Sequence, residues 1–118
     1  MKETTSNPIA VKSKSFALRI IRLYKELTMR RETVMSKQLL RSGTSIGANV
    51  REAIRAQSRP DFIAKMSISL KEASESEYWI ELLTESKYLT EEEGAIILAD
   101  CQELICILTK IIKSAKAM

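Results

Sequence analysis

Apolar residues recur three and four positions apart along nearly the whole of this 118-residue chain. An α-helix completes a turn in about 3.6 residues, so this spacing collects them on one side of a helix. Only three glycines and two prolines interrupt the pattern, which predicts long helices with short connections. We therefore expect four helices, at about residues 8–28, 33–57, 59–87 and 91–114.

Four amphipathic helices of similar length bury their apolar faces by packing together. The predicted fold class is therefore all-α, an antiparallel up-down four-helix bundle, with a single domain over residues 1–118.

Three of the four predicted helices begin with a recognisable capping signal. Asn7 and Ser58 each stand just before a helix whose first turn contains proline. Thr90 is followed three positions later by Glu93, which is the pattern of a capping box. The boundary at Thr28–Thr33 has no glycine or proline, so one long bent helix is the alternative there. The first six and the last five residues are expected to fray.

Each predicted helix carries a seam of apolar or small residues that is expected to face the core. The seams are Phe16, Ile20, Leu23 and Leu27, widened by Ala17, Ile21 and Tyr24; Leu39, Gly43, Ile46, Val50 and Ala53; Phe62, Met66, Ser69, Ala73, Ser76, Ile80 and Leu83; and Ile97, Cys101, Leu104, Leu108 and Ile111, to which Ile105 and Ile112 add a second row.

The middle of the second predicted helix, Ser42–Asn49, has unusually small side chains. Gly43 and Gly47 each cost about 1 kcal/mol in a helix interior relative to alanine. Close approach of a neighbouring helix would offset this cost, because small side chains let two backbones draw near. Backbone approach to a phosphate is the functional alternative, but a phosphate-binding loop follows a strand, and none is predicted here. We expect close helix packing.

The formal net charge of +4 hides an uneven distribution. Residues 1–59 contain 13 lysines and arginines and 4 acidic residues, whereas residues 60–118 contain 6 and 11. One interpretation is a nucleic-acid surface on the first half. The other is that the basic half packs on the acidic half, within a subunit or between subunits.

A basic stripe on the second predicted helix favours an external anion. Lys37, Arg41, Arg51 and Arg55 fall within an arc of about 80°, opposite the apolar seam, and Arg59 extends the line if the helix continues that far. Arginine contacts to phosphate give affinity without sequence readout. Aromatic residues make up only 5% of the chain, so few side chains can stack on bases, and non-specific, salt-dependent binding is expected. Four further arginines are expected to add charge nearby: Arg19, Arg22, Arg30 and Arg31.

The sequence shows no constellation typical of a catalytic or metal site. It contains no histidine, the commonest general base and metal ligand. Cys101 and Cys106 lie about 140° apart on one helix, so they cannot form a disulfide with each other. No phosphate-loop or dinucleotide fingerprint is present. We expect no enzymatic activity, no cofactor and no metal, and a cytoplasmic protein without a membrane span.

Two segments resemble a known family. Gln38–Ala53 (QLLRSGTSIGANVREA) and Lys71–Leu83 (KEASESEYWIELL), the second preceded by Asp61-Phe62, resemble motifs of the four helix bundle protein family, also called the ribosomal RNA intervening-sequence protein family. The resemblance implies a compact bacterial up-down bundle. It also implies likeness to the accessory variability determinant of diversity-generating retroelements, a basic pentamer that binds nucleic acid and a reverse transcriptase. A homo-oligomer is therefore expected. The family offers no agreed catalytic residues to carry over.

Two functional hypotheses follow from these patterns. The first is a homo-oligomeric bundle that binds RNA or DNA backbone through Lys37, Arg41, Arg51, Arg55 and Arg59. The alternative is a protein-interaction scaffold or accessory subunit whose basic face contacts an acidic protein partner.

Overall fold

The computed structural model describes residues 7–118, and its regular structure is helical throughout that range. The helices are α1 (Pro8–Met29), α2 (Val34–Ile54), α3 (Arg59–Glu85) and α4 (Glu91–Ala117). Each helix packs closely on the next along the chain, and α1 closes the bundle against α4 through the sparsest contact of the four. The prediction of an all-α four-helix bundle is confirmed.

Contacts between neighbouring helices run in opposite directions along the chain, as an up-down bundle requires. Ser42 of α2 meets Ser76 of α3 at 2.8 Å between the hydroxyl oxygens. Later along α2, the carbonyl oxygen of Ile46 accepts a hydrogen bond from the earlier residue Ser69 at 2.9 Å. The molecule is elongated, with extents of 46 × 21 × 21 Å.

The predicted helix caps are confirmed at the atomic level. The side chain of Asn7 accepts from the Ile9 amide at 3.2 Å, and the Ser58 hydroxyl accepts from the Asp61 amide at 3.2 Å. Thr90 starts α4 with a complete capping box. Helix ends differ more: α2 stops three residues before the predicted Gln57, and α4 continues to Ala117 instead of fraying from residue 114. The expectation that the first six residues fray lies outside the described residues.

The uncertain boundary between the first two helices is a true break, so the single bent helix is wrong. Arg31 adopts a left-handed conformation with φ 66°, which ends α1. The carboxylate of Glu32, only 5% exposed, then accepts from the amides of Val34, Met35 and Ser36 at 2.7–3.1 Å. Glu32 therefore caps α2 in place of Thr33, whose side chain makes no capping bond.

The four predicted seams form the core, with three corrections. Ile21 is 36% exposed and does not widen the seam of α1. Phe62 of α3 and Ile111 of α4 are only partly buried. Ile112, predicted in the second row of α4, is buried at 8% exposure. A straight helix turns in 3.6 residues, so a strict seven-residue repeat drifts off its buried face after a few turns.

The small residues of α2 serve close packing on both sides, as predicted. A Cβ atom added to Gly43 would stand 3.1 Å from Cγ1 of Ile20, and one added to Gly47 would stand 3.3 Å from the Ser13 hydroxyl oxygen. The lack of a side chain at both glycines therefore lets α1 pack closely on α2. The short side chain of Ser42 lets α3 approach from the other side, and its hydroxyl forms a hydrogen bond with that of Ser76.

Candidate nucleic-acid interface

The five residues of the predicted basic stripe lie on the outer surface of the bundle, but they do not share one environment. Lys37, Arg41 and Arg51 are exposed on α2, and Arg55 is its C-terminal cap. Arg59 opens α3, because α2 ends at Ile54. The condition under which Arg59 would extend the stripe is therefore not met, and Arg59 lies on the next helix, where the predicted boundaries place it.

Arg41 is paired with carboxylates of α3. Its guanidinium lies 3.2 Å from Oε2 of Glu72 and also bonds Oε2 of Glu75. The Trp79 indole donates to the same Glu75 oxygen at 2.9 Å. The indole and Arg41 together lower the pKa of Glu75, and the hydrogen bond to Glu75 raises the pKa of Arg41. The charge of Arg41 is thus largely neutralised within the subunit.

Arg59 is also engaged inside the chain. Its guanidinium donates to the backbone carbonyl oxygen of Met118. The contact ties the start of α3 to the last residue of the chain. It holds the Arg59 side chain at that end of the bundle.

Arg51 and Arg55 face the opposite flank of α2, where α1 packs. They line an open groove of about 540 Å³, hereafter the α1–α2 groove, whose residues are Ala10, Val11, Lys14, Ser15, Leu18, Arg51 and Arg55. None of these residues is acidic. Among residues 7–118, none of the three cations has an ion-pair partner.

A second, smaller depression continues this surface toward the middle of α2. It has a volume of about 310 Å³ and shares Lys14 and Arg51 with the α1–α2 groove. Its floor contains Gly47 and Ala48, whose small side chains leave the space above them open. The small segment that lets α1 approach thus also shapes the basic surface.

Lys14 is the member of this surface that the sequence reasoning missed. It belongs to α1, so no periodicity within α2 could have found it. The segment of small residues around Gly47 could have indicated Lys14. It predicts a helix packed closely against Gly47, and side chains that flank this contact on the packed helix must lie near Arg51. Lys37, by contrast, is exposed on α2 but does not line the groove.

Three of the four further arginines expected near the stripe lie instead along the seam between α1 and α4, and Arg31 lies in the loop between α1 and α2. Arg19 lies 2.6 Å from Oδ2 of Asp100, and Arg30 lies 3.0 Å from Oε2 of Glu93. Arg22 lines a cavity of about 290 Å³ on the same seam. The hydrogen bond from Arg30 lowers the pKa of Glu93 to about 2. Arg19 and Arg30 thus join α1 to α4 and do not extend the basic stripe.

Both interpretations of the uneven charge therefore have a structural counterpart. Lys12, Arg19, Arg30 and Arg41 pair with acidic residues of the second half of the chain. Lys14, Arg51 and Arg55 remain available on one surface.

The remaining chemistry-bearing groups are structural. Cys101 is buried and donates to the Ala73 carbonyl oxygen at 3.3 Å, and burial raises the pKa of its thiol to about 12. Cys106 is exposed, and neither thiol forms a disulfide. Across residues 7–118, no three His, Cys, Asp or Glu side chains are grouped so that they could hold a metal ion. In the same range, every helix is too short or too polar to cross a membrane.

Comparison with known proteins places this bundle in a family. A family model described as 23S rRNA-intervening sequence protein matches residues 6–110. The chain is also similar to a protein of unknown function from the S23 ribosomal protein family of Bacteroides thetaiotaomicron VPI-5482, with a crystal structure at 1.70 Å. The two share 56% identity and a TM-score of 0.88, over 89% of this chain and 98% of that chain. A search among curated proteins finds no match. The matched span covers most of the chain, so the protein belongs to the 23S rRNA-intervening sequence protein family.

Proposed function

We propose that this protein is a non-enzymatic bundle that binds the backbone of RNA or DNA through the α1–α2 groove. The observation that carries the proposal is the convergence of Lys14, Arg51 and Arg55 on one groove that contains no carboxylate. Cations without an internal partner attract phosphates and release the counterions condensed on a nucleic acid. Lys37, exposed on the same helix, adds to the positive field.

The groove supports affinity rather than sequence recognition. Its lining has no aromatic side chain on which a base could stack and no asparagine or glutamine to pair with an adenine edge, and its arginines can bind the phosphates of any sequence. Contacts to phosphates fix position but carry no sequence information. Binding should therefore be similar for unrelated sequences and should weaken steeply with salt.

RNA is the first ligand to test. The family name refers to an intervening sequence of 23S rRNA. Structured RNA and duplex DNA of equal length, compared in the same assay, separate a preference for A-form geometry from a general affinity for phosphate.

We also propose that the chain assembles as a homo-oligomer. Half-exposed aliphatic side chains on other helices, Ile68 at 42% and Ile96 at 58%, offer surface for contacts between copies. Several grooves on one particle would bind one nucleic acid with an avidity that a single groove lacks. Light scattering in solution tests this proposal, because a mass equal to the 13.4 kDa chain would contradict it.

The nucleic-acid proposal predicts the behaviour of a charge-reversal variant. Arg51→Glu with Arg55→Glu should weaken RNA binding at least tenfold at low salt, since two phosphate contacts become repulsions. The slope of log K against log salt should fall by about 2, close to one for each lost contact. Fluorescence anisotropy at several salt concentrations measures both quantities.

The matched control reverses two charges elsewhere. Lys110→Glu with Lys113→Glu changes the net charge by the same amount on α4, where both lysines are exposed and have no ion-pair partner among the described residues. This variant should lose much less affinity. Equal losses in the two variants would show that net charge alone attracts the nucleic acid, and an unchanged affinity in the groove variant would refute the proposal.

A further inference from the structure

The α1–α2 groove has an apolar wall that phosphate binding does not explain. Val11 and Leu18 line it, and each is 47% exposed. A phosphodiester backbone has no apolar face with which to cover them. A ligand that contacts both the cations and the apolar side chains of the groove would carry negative charge and aliphatic surface.

The two walls of the groove repeat at helical spacing. Val11 and Leu18 are seven residues apart, which is two turns or about 10 Å along α1. Lys14 lies between them on the same helix, and Arg51 and Arg55 stand about 6 Å apart along the opposite wall. A third helix bound in the groove would contact Val11 and Leu18 two turns apart. It would have Lys14 on one side and the two arginines on the other. This is the pattern by which amphipathic helices bind in grooves.

We propose that the α1–α2 groove is the docking site for an acidic amphipathic helix of a protein partner. Apolar side chains seven residues apart on that helix would pack on Val11 and Leu18, and its carboxylates would pair with Lys14, Arg51 and Arg55. The inference rests in part on the proposed function, since the partner helix and the nucleic acid use the same cations. The two ligands therefore compete, and the partner controls access to the nucleic-acid site.

The helices of a second copy do not offer the required complement. Ten large apolar side chains are exposed in residues 7–118, and the only two of them that stand seven residues apart are Val11 and Leu18 themselves. These belong to α1, whose outer face is basic. The helices α3 and α4 carry acidic residues, but their exposed large apolar residues, such as Tyr78 and Ile96, do not form a pair at seven-residue spacing. A separate acidic helix fits the groove better.

The test uses a fluorescent helical peptide with leucines seven residues apart and glutamates on the flanking positions. A scrambled peptide of the same composition has the same charge but no apolar stripe. The full-length protein should bind the patterned peptide at least tenfold more tightly than the scrambled one. Unlabelled patterned peptide should also displace labelled RNA from the protein.

A pair of apolar variants separates this proposal from simple charge attraction. Val11→Thr with Leu18→Gln should weaken binding of the patterned peptide at least tenfold and leave binding of the scrambled peptide, which depends on charge alone, within twofold of wild type. Val34→Thr, which changes an exposed aliphatic residue in the first turn of α2 outside the groove, should alter neither affinity. Circular dichroism checks that each variant is folded, which the exposure of the changed residues favours.

Each contrary result has a distinct meaning. Equal binding of the two peptides, or undiminished binding by the Val11 and Leu18 variant, would overturn the docking proposal and leave RNA binding in place. A change in the protein's own mass in that variant would show that a second copy covers the groove, and would also overturn it. Patterned-peptide binding that needs Val11 and Leu18, with no RNA binding by the wild type, would support docking and refute the nucleic-acid function.

Discussion

Gly94 is unfavourable for the stability of its own helix but favourable for the packing of that helix against α3. It lies in the first turns of α4, where alanine would favour the helix by about 1 kcal/mol. However, a Cβ atom at this position would stand 2.8 Å from Cγ2 of Thr84 in α3 and closer still to its hydroxyl oxygen. The Thr84 hydroxyl is itself fixed by a 2.7 Å hydrogen bond to the Ile80 carbonyl oxygen. The packing of α3 against α4 therefore outweighs the helix propensity.

Gly94→Ala should accordingly destabilise the protein. We expect the free energy of unfolding to fall by about 1–3 kcal/mol, the usual cost of overpacking. Urea unfolding followed by circular dichroism measures it. Gly47→Ala is the control, because its Cβ would stand 3.3 Å from the Ser13 hydroxyl oxygen, and it should change stability by less than about 1 kcal/mol. A Gly94→Ala variant more stable than wild type would contradict the close contact.

At the scale of elements, the start of α4 is joined to the end of α1 by a charged contact. Arg30 donates to both carboxylate oxygens of Glu93, at 3.3 and 3.0 Å, and to the Tyr88 carbonyl oxygen at 2.8 Å. Glu93 also accepts from the Thr90 amide as part of the capping box. The contacts from Arg30 and Thr90 lower the pKa of Glu93 from its ordinary 4.5 to about 2. The ion pair thus joins two helices that otherwise pack loosely.

This shift makes the stability of the α1–α4 contact depend on pH. A carboxylate with a lowered pKa in the folded state stabilises that state above its unfolded pKa and loses the effect as the pH falls. The contribution of Glu93 should be complete above pH 4.5 and disappear toward pH 2. Glu93→Gln keeps the capping pattern but loses the charge, so it should be less stable than wild type at pH 7, and the difference should shrink by pH 3.

Urea unfolding of both proteins at pH 7, 4 and 3 gives this difference directly. Glu92→Gln removes a charge from the neighbouring exposed residue, which has no ion-pair partner among residues 7–118. A gap between Glu93→Gln and wild type that stays constant from pH 7 to pH 3 would show that the ion pair does not contribute.

At the scale of the whole molecule, the apolar core and the surface ion pairs contribute very different amounts to stability. Leu104 is 1% exposed, whereas Arg19 and Asp100, whose ion pair also bridges α1 and α4, have side chains 40% and 46% exposed. Exposed ion pairs contribute about 0–1 kcal/mol, because water screens them and ordering two long side chains costs entropy. Truncation of a buried leucine leaves a cavity as well as a lost transfer free energy.

Leu104→Ala should therefore lower the free energy of unfolding by about 2–5 kcal/mol, and Arg19→Ala by less than about 1 kcal/mol. Urea unfolding in low and high salt measures both, and the salt dependence should be small in wild type. Similar losses in the two variants would mean that the α1–α4 seam depends on its ion pairs rather than on the core.

The fold can be predicted from the amino-acid sequence alone, because the interactions that specify it are local. The three- and four-residue spacing specifies which face of each helix is buried, and caps such as Asn7, Ser58 and Thr90 place the helix starts. The small segment around Gly43 and Gly47 correctly predicted a close neighbour. These signals lie within a few residues of the structure that they specify.

Which basic side chains remain free to bind an external anion depends on how the helices pack. Arg41 and Arg51 lie on one face of α2 in sequence terms, yet Arg41 pairs with α3 and Arg51 borders the groove with α1. Lys14 joins that groove from a different helix, and Glu32 caps α2 from a buried position. The periodicity of one helix specifies its buried face but not which neighbour packs on each flank. The ion pairs and grooves along those flanks depend on residues far apart in the chain.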